Sequence, residues 1–414
     1  ITRDRADWFP HGEFPETAGE IRLFTAAGRT ELGGNHTDHN RGKVLAASIQ
    51  LDSAASAAPR KDKKVFFRSK GYPDVRVDLA DPSGAPDFGV KESEKGTTEA
   101  LVRGIAAEFA SRGTEVRGFT ANAASTVLPG SGLSSSAAAE VLFGRIFDNL
   151  YGGGKRSALE LAQIGQKAEN LYFGKPCGLM DQTACASGGA VAIDFEDPER
   201  PLVRQIGFDP AAAGFALCVT DTRGSHADLT PDYAAIPAEM KAVAAFFGKT
   251  VLRELDAESV LSRAAEIRGT VGDRALLRAL HFFEENRRVD SMLSRLEEMN
   301  AAASSEGKQK AMGAFLGLVN QSGDSSWELL QNIYSPRNPE KQGVSLALAL
   351  TRDFLAGAGA CRIHGGGFAG TIQAYIPLGA LNAYRSRMET FFGSGAVTAL
   401  RIRPIGAAEL EFPA

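Results

Sequence analysis

The spacing of apolar residues along the chain predicts a mixture of helices and short strands. Two segments place apolar residues three and four positions apart, which is typical of amphipathic helices whose apolar stripes face the core. Apolar runs at 75–79, 189–195 and 215–220 predict strands. Because they do not alternate evenly with the helices, the pattern favours an α+β fold over a doubly wound sheet. The helical positions are Leu101, Ile105 and Phe109, then Leu161, Ile164, Ala168 and Leu171.

A highly charged helical pattern extends from Asp256 to Ala303. Its apolar positions share one face, which predicts a helical layer whose charged side chains lie in water. The apolar face comprises Leu276, Leu277, Leu280 and Phe283, and the charged residues outside it are Glu284, Glu285, Arg287 and Arg288.

The length and composition are those of a globular protein with room for two cores. The chain has 414 residues, of which 43% are hydrophobic and 23% are charged. Breaks between strand-like runs at 195–215 predict a boundary there. We therefore expect an N-terminal domain at 1–205 and a C-terminal domain at 206–414.

The charge distribution points to a small-molecule partner. A net charge of -4 creates no field that would attract nucleic acid or an anionic membrane. Its four cysteines form no Cys-x-x-Cys or zinc-ligand spacing, which is typical of a reducing compartment. The first eight residues contain no apolar signal-like run, and no stretch of about 18 apolar residues occurs. We expect a cytoplasmic monomer.

A segment rich in glycine and serine, from Pro129 to Ala137, joins a strand-like stretch at 118–123 to a helix-forming run at 137–147. Glycine lets the backbone approach a phosphate, and a helix N-terminus offers free N–H groups and a positive dipole to an anion. An N-capped helix after a turn is the alternative, but three consecutive serines exceed what capping needs. This segment, the phosphate loop, therefore predicts a phosphate cradle.

Two other segments resemble nucleotide-binding motifs without their structural context. Gly365 to Gly370 satisfies G-x-G-x-x-G, but a strand-like run at 371–376 follows it where a dinucleotide fold requires a helix. This glycine-rich turn is either a tight hairpin with positive φ or a point of close backbone approach. The sequence 248–250 ends like a Walker A loop, but Val243 occupies the position of its leading glycine.

Polar side chains are concentrated between Gly28 and Gly42. Such density among glycines is typical of a loop whose donors and acceptors converge on the hydroxyls of a polyol. A metal site formed by His36, Asp38 and His39 is a less favoured alternative, because their close spacing would require an unusual loop. A solvated loop would explain the polarity but not the glycines. The polar residues are Arg29, Glu31, Asn35, His36, Asp38, His39 and Asn40.

Two acidic residues lie shortly after the phosphate loop. Glu169 ends a predicted helix, and Asp181 follows twelve residues later. A hydroxyl that is to be phosphorylated needs a carboxylate to take its proton, and Mg²⁺ needs an oxygen ligand. Either acid alone would ordinarily be a surface residue. In combination with the phosphate loop, they predict a divided role in phosphoryl transfer.

These motifs, in this order, resemble those of the galactokinases within the GHMP kinase superfamily, over nearly the whole chain. The resemblance implies an α+β, two-domain GHMP kinase architecture with the active site in the cleft between the domains. It also implies transfer of the ATP γ-phosphate to the anomeric hydroxyl of galactose or a close relative, giving galactose 1-phosphate and ADP. Mg²⁺ would be the cofactor and ATP the co-substrate.

The same resemblance implies roles for individual residues. Asp181 would be the catalytic base, Arg29 would orient it and stabilise the transferring phosphate, and Ser136 with Glu169 would hold Mg²⁺. The sugar pocket would be lined by Asn35, His36, Asp38, Gly178 and Tyr233. The ATP phosphates would be wrapped by Pro129, Gly130, Ser131, Gly132, Leu133, Ser134, Ser135, Ser136 and Ala137.

The chain departs from the galactokinase signature at two positions. Asn35 stands where galactokinases usually carry Glu, and His39 replaces a Tyr. An amide oxygen can still accept a hydrogen bond, but without the charge of a carboxylate. These changes keep open the same chemistry on a different hexose or amino sugar. A non-catalytic sugar and ATP sensor is a further alternative, which the complete run from Ser134 to Ala137 argues against.

Overall fold

The computed structural model describes residues 19–127, 132–224 and 229–411. The strands are β1 (Arg22–Gly33), β2 (Lys43–Pro59), β3 (Lys64–Ser69), β4 (Val75–Asp78), β5 (Phe119–Ser125), β6 (Ala190–Asp194), β7 (Leu202–Ile206), β8 (Phe215–Asp221), β9 (Ala360–Ile363), β10 (Thr371–Pro377), β11 (Val397–Leu400) and β12 (Ala408–Leu410). The helices are α1 (Thr98–Ser111), α2 (Ser135–Phe147), α3 (Ala158–Lys167), α4 (Met180–Ser187), α5 (Thr230–Phe246), α6 (Ala257–Ser262), α7 (Ala264–Val271), α8 (Asp273–Ala301), α9 (Ser305–Ser325), α10 (Gly343–Leu355) and α11 (Leu381–Phe392).

Two sheets organise the described residues, which confirms the predicted α+β class. The first has the order β12-β1-β2-β5-β3-β4, and β6 pairs with β2 and with β7. The second is antiparallel, with the order β11-β8-β10-β9. The predicted boundary at residue 205 falls near the end of β7, but β12 returns from the C-terminal end to pair with β1. The division into two domains along the sequence stays a prediction.

The long strand β2 is the centre of the first sheet because it pairs with β1, β5 and β6. Its alanines and serines are small, and α2 and α4 pack closely against β1 and β2. The β1–β2 register shifts between Ala27 and Arg29 and again between Glu31 and Gly33. Such irregularities re-aim side chains, and both fall where β1 carries polar residues.

The two amphipathic helices predicted from sequence are confirmed as α1 and α3, but one of their core positions is wrong. Leu171 is 60% exposed. The helix changes at Ala168 to a π-helical segment, Ala168–Phe173. Because a π-turn is wider than an α-turn, it rotates the residues that follow around the axis, and Leu171 leaves the apolar stripe.

The prediction that the charged residues of α8 lie in water is wrong for Glu285, which is fully buried. This 29-residue helix packs against α5 and α9, so its buried surface is wider than one stripe. Glu285 Oε1 accepts hydrogen bonds from the Ser322 hydroxyl at 2.6 Å and from the Gly34 N–H at 3.0 Å, and Arg288 pairs with Oε2. These partners compensate the buried charge.

Candidate active site

The carboxylate of Asp181 is held by Arg29 through two parallel hydrogen bonds. Arg29 lies on β1 and Asp181 in the first turn of α4, and Nε and Nη2 donate to Oδ1 and Oδ2 at 2.7 and 2.8 Å. The Arg29 side chain is 7% exposed, whereas that of Asp181 is 33% exposed. A bidentate pair fixes the orientation of the carboxylate, and its open edge leaves room for a ligand.

The surroundings of Asp181 keep it ionised at neutral pH. Burial raises its pKa, but the Arg29 guanidinium and the Ser134 hydroxyl lower it more, so the pKa lies below the usual range. Burial in turn lowers the pKa of Arg29, while the Asp181 charge raises it, with a net increase. Both members of the pair are therefore charged.

The phosphate loop contacts this pair directly. The Ser134 hydroxyl donates to Asp181 Oδ2, the Arg29 Nη1 group donates to the Gly132 carbonyl, and the Arg29 N–H donates to the Leu133 carbonyl at 3.1 Å. Ser134 has a left-handed backbone conformation, with φ 58°, which costs a non-glycine residue about 1 kcal/mol. This conformation of the loop directs the Ser134 hydroxyl toward the Asp181 carboxylate.

The same arrangement leaves the start of α2 available to an anion. Ser134 is the N-cap residue of α2, but its side chain makes no capping hydrogen bond. The first backbone N–H groups of the helix, on Ser135, Ser136 and Ala137, have no partner within an α-helix. Ser136 is exposed. The predicted phosphate contacts at Pro129, Gly130 and Ser131 lie outside the described residues.

Glu169 belongs to a buried acidic cluster behind Asp181. The Gln182 Nε2 group donates to Glu169 Oε2 at 3.0 Å and to Glu140 Oε2 at 2.9 Å, and Lys175 Nζ donates to Glu169 Oε1 at 3.3 Å. Burial, followed by the charge of Glu169, raises the pKa of Glu140 well above its usual value. Glu140 lies one turn after Ser136 on the same face of α2. Of the two predicted magnesium ligands, Ser136 thus lies one turn from Glu140, and Glu169 shares the Gln182 amide with Glu140.

The loop between β1 and β2, residues 34–42, is called the signature loop. Its Asp38 lies against Gly178, where a Cβ atom would fall 1.9 Å from Asp38 Oδ2. The Asp38 Oδ1 atom accepts the His39 N–H at 3.0 Å. Glycine at position 178 thus permits a carboxylate to lie beside the segment that leads into α4 and Asp181.

Three predicted sugar-pocket residues donate hydrogen bonds to successive carbonyls of the glycine-rich turn. Asn35 Nδ2 contacts Gly365 O at 2.8 Å, His36 Nε2 contacts Gly366 O at 2.9 Å, and the Tyr233 hydroxyl contacts Gly367 O at 2.9 Å. Within the turn, the residues with a left-handed backbone conformation are Gly365, Gly367, Phe368 and Gly370. These conformations turn its carbonyls toward the signature loop.

His36 is neutral at physiological pH. Burial and then the neighbouring His39 lower its pKa to about 3. A neutral imidazole carries one N–H, and the contact with the Gly366 carbonyl assigns that proton to Nε2. Within the described residues, no three His, Cys, Asp or Glu side chains are grouped as a metal site.

Several contacts at the site were not identified from the sequence. Glu31 Oε1 forms an ion pair with Arg362 Nη2 at 2.6 Å, and both side chains are buried. Arg362 lies three residues before the glycine-rich turn, so its closeness to that motif in the sequence could have suggested a role at the site. The contact from Glu285 to the Gly34 N–H had no such local signal, since 251 residues separate them.

The structure brings both predicted catalytic residues together with residues 132–134 of the phosphate loop, and the signature loop together with the glycine-rich turn. Among described residues, no helix is long and apolar enough to span a membrane.

Two segments of the chain match family models, and known proteins match most of its length. Residues 100–189 match the family described as GHMP kinases N terminal domain, and residues 12–59 match the galactokinase galactose-binding signature. The galactokinase of Streptomyces coelicolor is 32% identical over 388 residues, covering 92% of this chain and 91% of the relative. That of Glaesserella parasuis is 29% identical, covering 87% and 86%.

Solved structures share the fold. Lactococcus lactis galactokinase complexed with galactose has a TM-score of 0.78 at 24% identity, covering 99% of this chain and 98% of the other. Methanococcus jannaschii mevalonate kinase has a TM-score of 0.61 at 12% identity, covering 93% and 99%. Together with the curated relatives, these matches show that the chain belongs to the galactokinase family of the GHMP kinase superfamily.

Proposed function

We propose that the protein transfers the γ-phosphate of ATP to the anomeric hydroxyl of galactose or a closely related sugar, giving the sugar 1-phosphate and ADP. One observation carries this proposal. Asp181 is held by Arg29 and Ser134 at the point where the phosphate loop meets β1, with one third of its side chain open. A carboxylate fixed beside an anion-binding helix end suits an attacking hydroxyl.

In this proposal, Asp181 Oδ1 accepts the proton of the sugar hydroxyl. Among the described residues Oδ1 accepts one hydrogen bond, from Arg29 Nε, whereas Oδ2 accepts two, from Arg29 Nη2 and Ser134 Oγ. The sugar oxygen forms a bond to the γ-phosphorus as the bond to the bridging oxygen breaks, and ADP takes that electron pair. Because the pKa of Asp181 is low, the proton moves late, when bond formation has acidified the hydroxyl.

Arg29 has a second role in the proposal. Its guanidinium also donates to the Gly132 carbonyl, so it sits between the carboxylate and the phosphate loop. A fixed positive charge there stabilises the negative charge that spreads over the transferring phosphoryl group. Since Asp181 already orients the guanidinium, little reorganisation is needed during the reaction.

Mg²⁺ fits the donors that the chain supplies. Ser136 offers an exposed hydroxyl at the start of α2, and Glu169 offers a carboxylate. These are hard oxygen ligands, and Mg²⁺ ordinarily combines a few of them with water and nucleotide phosphates. When bound, the ion neutralises charge on the phosphates of ATP. Lys175 and Gln182 would hold the Glu169 carboxylate in place for it.

The sugar would occupy the space bounded by Asp38, Gly178 and the open edge of Asp181. Asp38 Oδ2 provides a charged acceptor for sugar hydroxyls, and His36 and Tyr233 form a wall fixed to the glycine-rich turn. Carboxylates beside small residues let a polyol approach closely.

The test is release of ADP with a panel of hexoses, amino sugars and uronic acids, followed by assignment of the phosphorylated carbon by ³¹P–¹H coupling. We expect galactose among the best acceptors and phosphate on its anomeric oxygen. Strong activity on another sugar with none on galactose would overturn the substrate while retaining the reaction. Phosphate on another carbon would contradict the proposed pose.

A further inference from the structure

The amide of Asn35 is fully engaged with the protein. Asn35 is buried, with 1% of its surface exposed. Nδ2 donates to the Glu31 carboxylate at 3.1 and 3.3 Å and to the Gly365 carbonyl at 2.8 Å, which uses both of its hydrogens. Oδ1 accepts from Asn332 Nδ2 at 2.8 Å. The partners on each side fix the orientation of the amide, and no donor is left for a sugar.

Position 35 must supply a donor because acceptors face it. The Glu31 carboxylate and the Gly365 carbonyl both point at Nδ2. Glutamate, which the galactokinase signature usually has at this position, would place a second carboxylate against them with no proton to share. Such a buried contact between like charges is strongly unfavourable.

The buried Glu31 carboxylate is stabilised by an ion pair with Arg362. Burial raises the pKa of Glu31, and the Arg362 guanidinium at 2.6 Å opposes that rise. Arg362 lies on β9, which ends at the next residue, just before the glycine-rich turn. On the other side of the turn, Gln373 Nε2 on β10 donates to the Glu31 carbonyl at 2.8 Å. One buried cluster thus connects β1 to both strands that flank the turn.

We propose that Asn35 is a positioning residue that, together with Glu31, fixes the glycine-rich turn, and that it does not bind the sugar. The inference rests on the proposed function for its kinetic consequence only. The galactokinase signature usually has a carboxylate at position 35, whereas this chain has one four residues earlier, at Glu31. The Glu31 carboxylate pairs with Arg362 and does not contact the substrate. Asp38 is then the carboxylate of the signature loop that remains for sugar hydroxyls.

The experiment introduces a carboxylate at position 35 in two backgrounds, one with Glu31 intact and one in which Glu31 is replaced. In the wild-type background, Asn35→Glu is expected to lower the melting temperature and to lower kcat at least tenfold, because two carboxylates then compete for Arg362. In the Glu31→Gln background, where Arg362 has lost its partner, the same Asn35→Glu substitution is expected to raise both. Hydrogen exchange of the 365–370 amides should follow the melting temperature.

A matched control is Asn300→Glu. The Asn300 side chain also donates to a backbone carbonyl, that of Gly207 at 2.8 Å, but on an exposed surface. We expect this variant to keep the wild-type melting temperature and kcat.

Each outcome decides the proposal. If Asn35→Glu lowers the sugar KM in the wild-type background, Asn35 lies in the sugar site and the proposal is overturned. Equal losses in both backgrounds would refute the pairing with Glu31. Should Asn35→Glu alone fail to fold while the double variant folds, the pairing is supported. Melting and exchange need no turnover, so they report on Asn35 even if galactose is not the substrate.

Discussion

Glu285 Oε1 accepts the backbone N–H of Gly34 at 3.0 Å, so a helix from the second half of the chain holds the beginning of the signature loop. The same oxygen accepts the Ser322 hydroxyl, and Arg288 pairs with the other. One turn earlier on α8, His281 Nε2 contacts the Asn35 carbonyl at 2.9 Å. The conformation of the signature loop therefore depends on α8 as well as on its own sequence.

We expect Glu285→Gln to destabilise the protein by about 3 to 5 kcal/mol at pH 7, because it leaves the Arg288 charge poorly compensated next to a buried site. Urea unfolding at pH 7 measures this change. Glu284→Gln is the control, since Glu284 is the neighbouring residue, its side chain is 44% exposed, and it lies 3.5 Å from the same arginine. The control should change stability by less than about 1 kcal/mol.

The pH dependence of this difference has a defined sign. Burial by itself raises the pKa of Glu285. The neighbouring Arg288, His281 and Arg362 lower it by more than burial raises it, so the pKa is about 2 instead of the ordinary 4.5. A depressed pKa contributes stability above the ordinary value, and that contribution is lost as the pH falls toward the folded value. The gap between wild type and Glu285→Gln should therefore be full above pH 4.5 and shrink toward pH 2. A gap that stays constant down to pH 3 would contradict this.

Removal of the Ser134 hydroxyl should weaken catalysis and move its pH profile. Ser134→Ala deletes a hydrogen bond that lowers the pKa of Asp181, so that pKa should rise. Because Asp181 acts as a carboxylate, the acid limb of the profile of kcat/KM should shift to higher pH. At pH 7.5, kcat should fall roughly tenfold, as one hydrogen bond to a charged group is lost.

The control for this variant is Ser111→Ala, which removes an exposed hydroxyl that donates to the Glu108 carbonyl at 3.0 Å. Its rate and profile should match wild type. A Ser134→Ala profile with an unchanged acid limb would exclude the proposed electrostatic link to Asp181.

The sequence located the phosphate loop, the signature loop and the glycine-rich turn because their glycine and serine patterns are local. The family and the α+β fold predicted from them are confirmed. The role of Ser134 was not separable from that of Ser135 or Ser136, because it depends on one left-handed residue that turns a particular hydroxyl toward α4. Periodicity along a single helix cannot show such a contact.

The burial of Glu285 illustrates a second limit. A charged residue on α8 reads as solvated when only its own helix is considered. Two of the partners of Glu285 are Gly34, in the signature loop, and Ser322, on α9. Both are distant in sequence, so these contacts cannot be predicted before the packing of the helices is known. The same applies to Asn35, whose amide partners include Gly365 and Asn332, about three hundred residues further along the chain.

Gly178→Ala should selectively impair sugar binding. An added Cβ would fall 1.9 Å from Asp38 Oδ2 and 2.9 Å from its Cγ, so the carboxylate must move. Misplacement of a substrate-binding group by about 1 Å can cost on the order of 10²-fold, and we expect a loss of that size in kcat/KM for the sugar. The KM for ATP should change much less.

The control for the added methyl group is Gly313→Ala on α9, where no atom lies within 4 Å of the new Cβ apart from the adjacent residues and the backbone of the helix itself. Alanine is the better helix former, so this variant should be as active as wild type and slightly more stable. Equal increases in KM for sugar and ATP in Gly178→Ala would indicate a general distortion and would refute a specific role for Asp38.

Asp181→Asn should separate catalysis from binding. The amide keeps the shape of the carboxylate but cannot take the hydroxyl proton, so kcat should fall roughly 10²- to 10⁴-fold. Arg29 loses its charged partner while 7% exposed, and some loss of thermal stability should accompany the substitution. Stabilisation by added sugar or by ATP should nevertheless persist, because a ligand that binds the folded protein still raises its melting temperature. Turnover at the wild-type rate would exclude Asp181 as the base, whereas loss of both ligand-induced shifts would assign it to the architecture of the site.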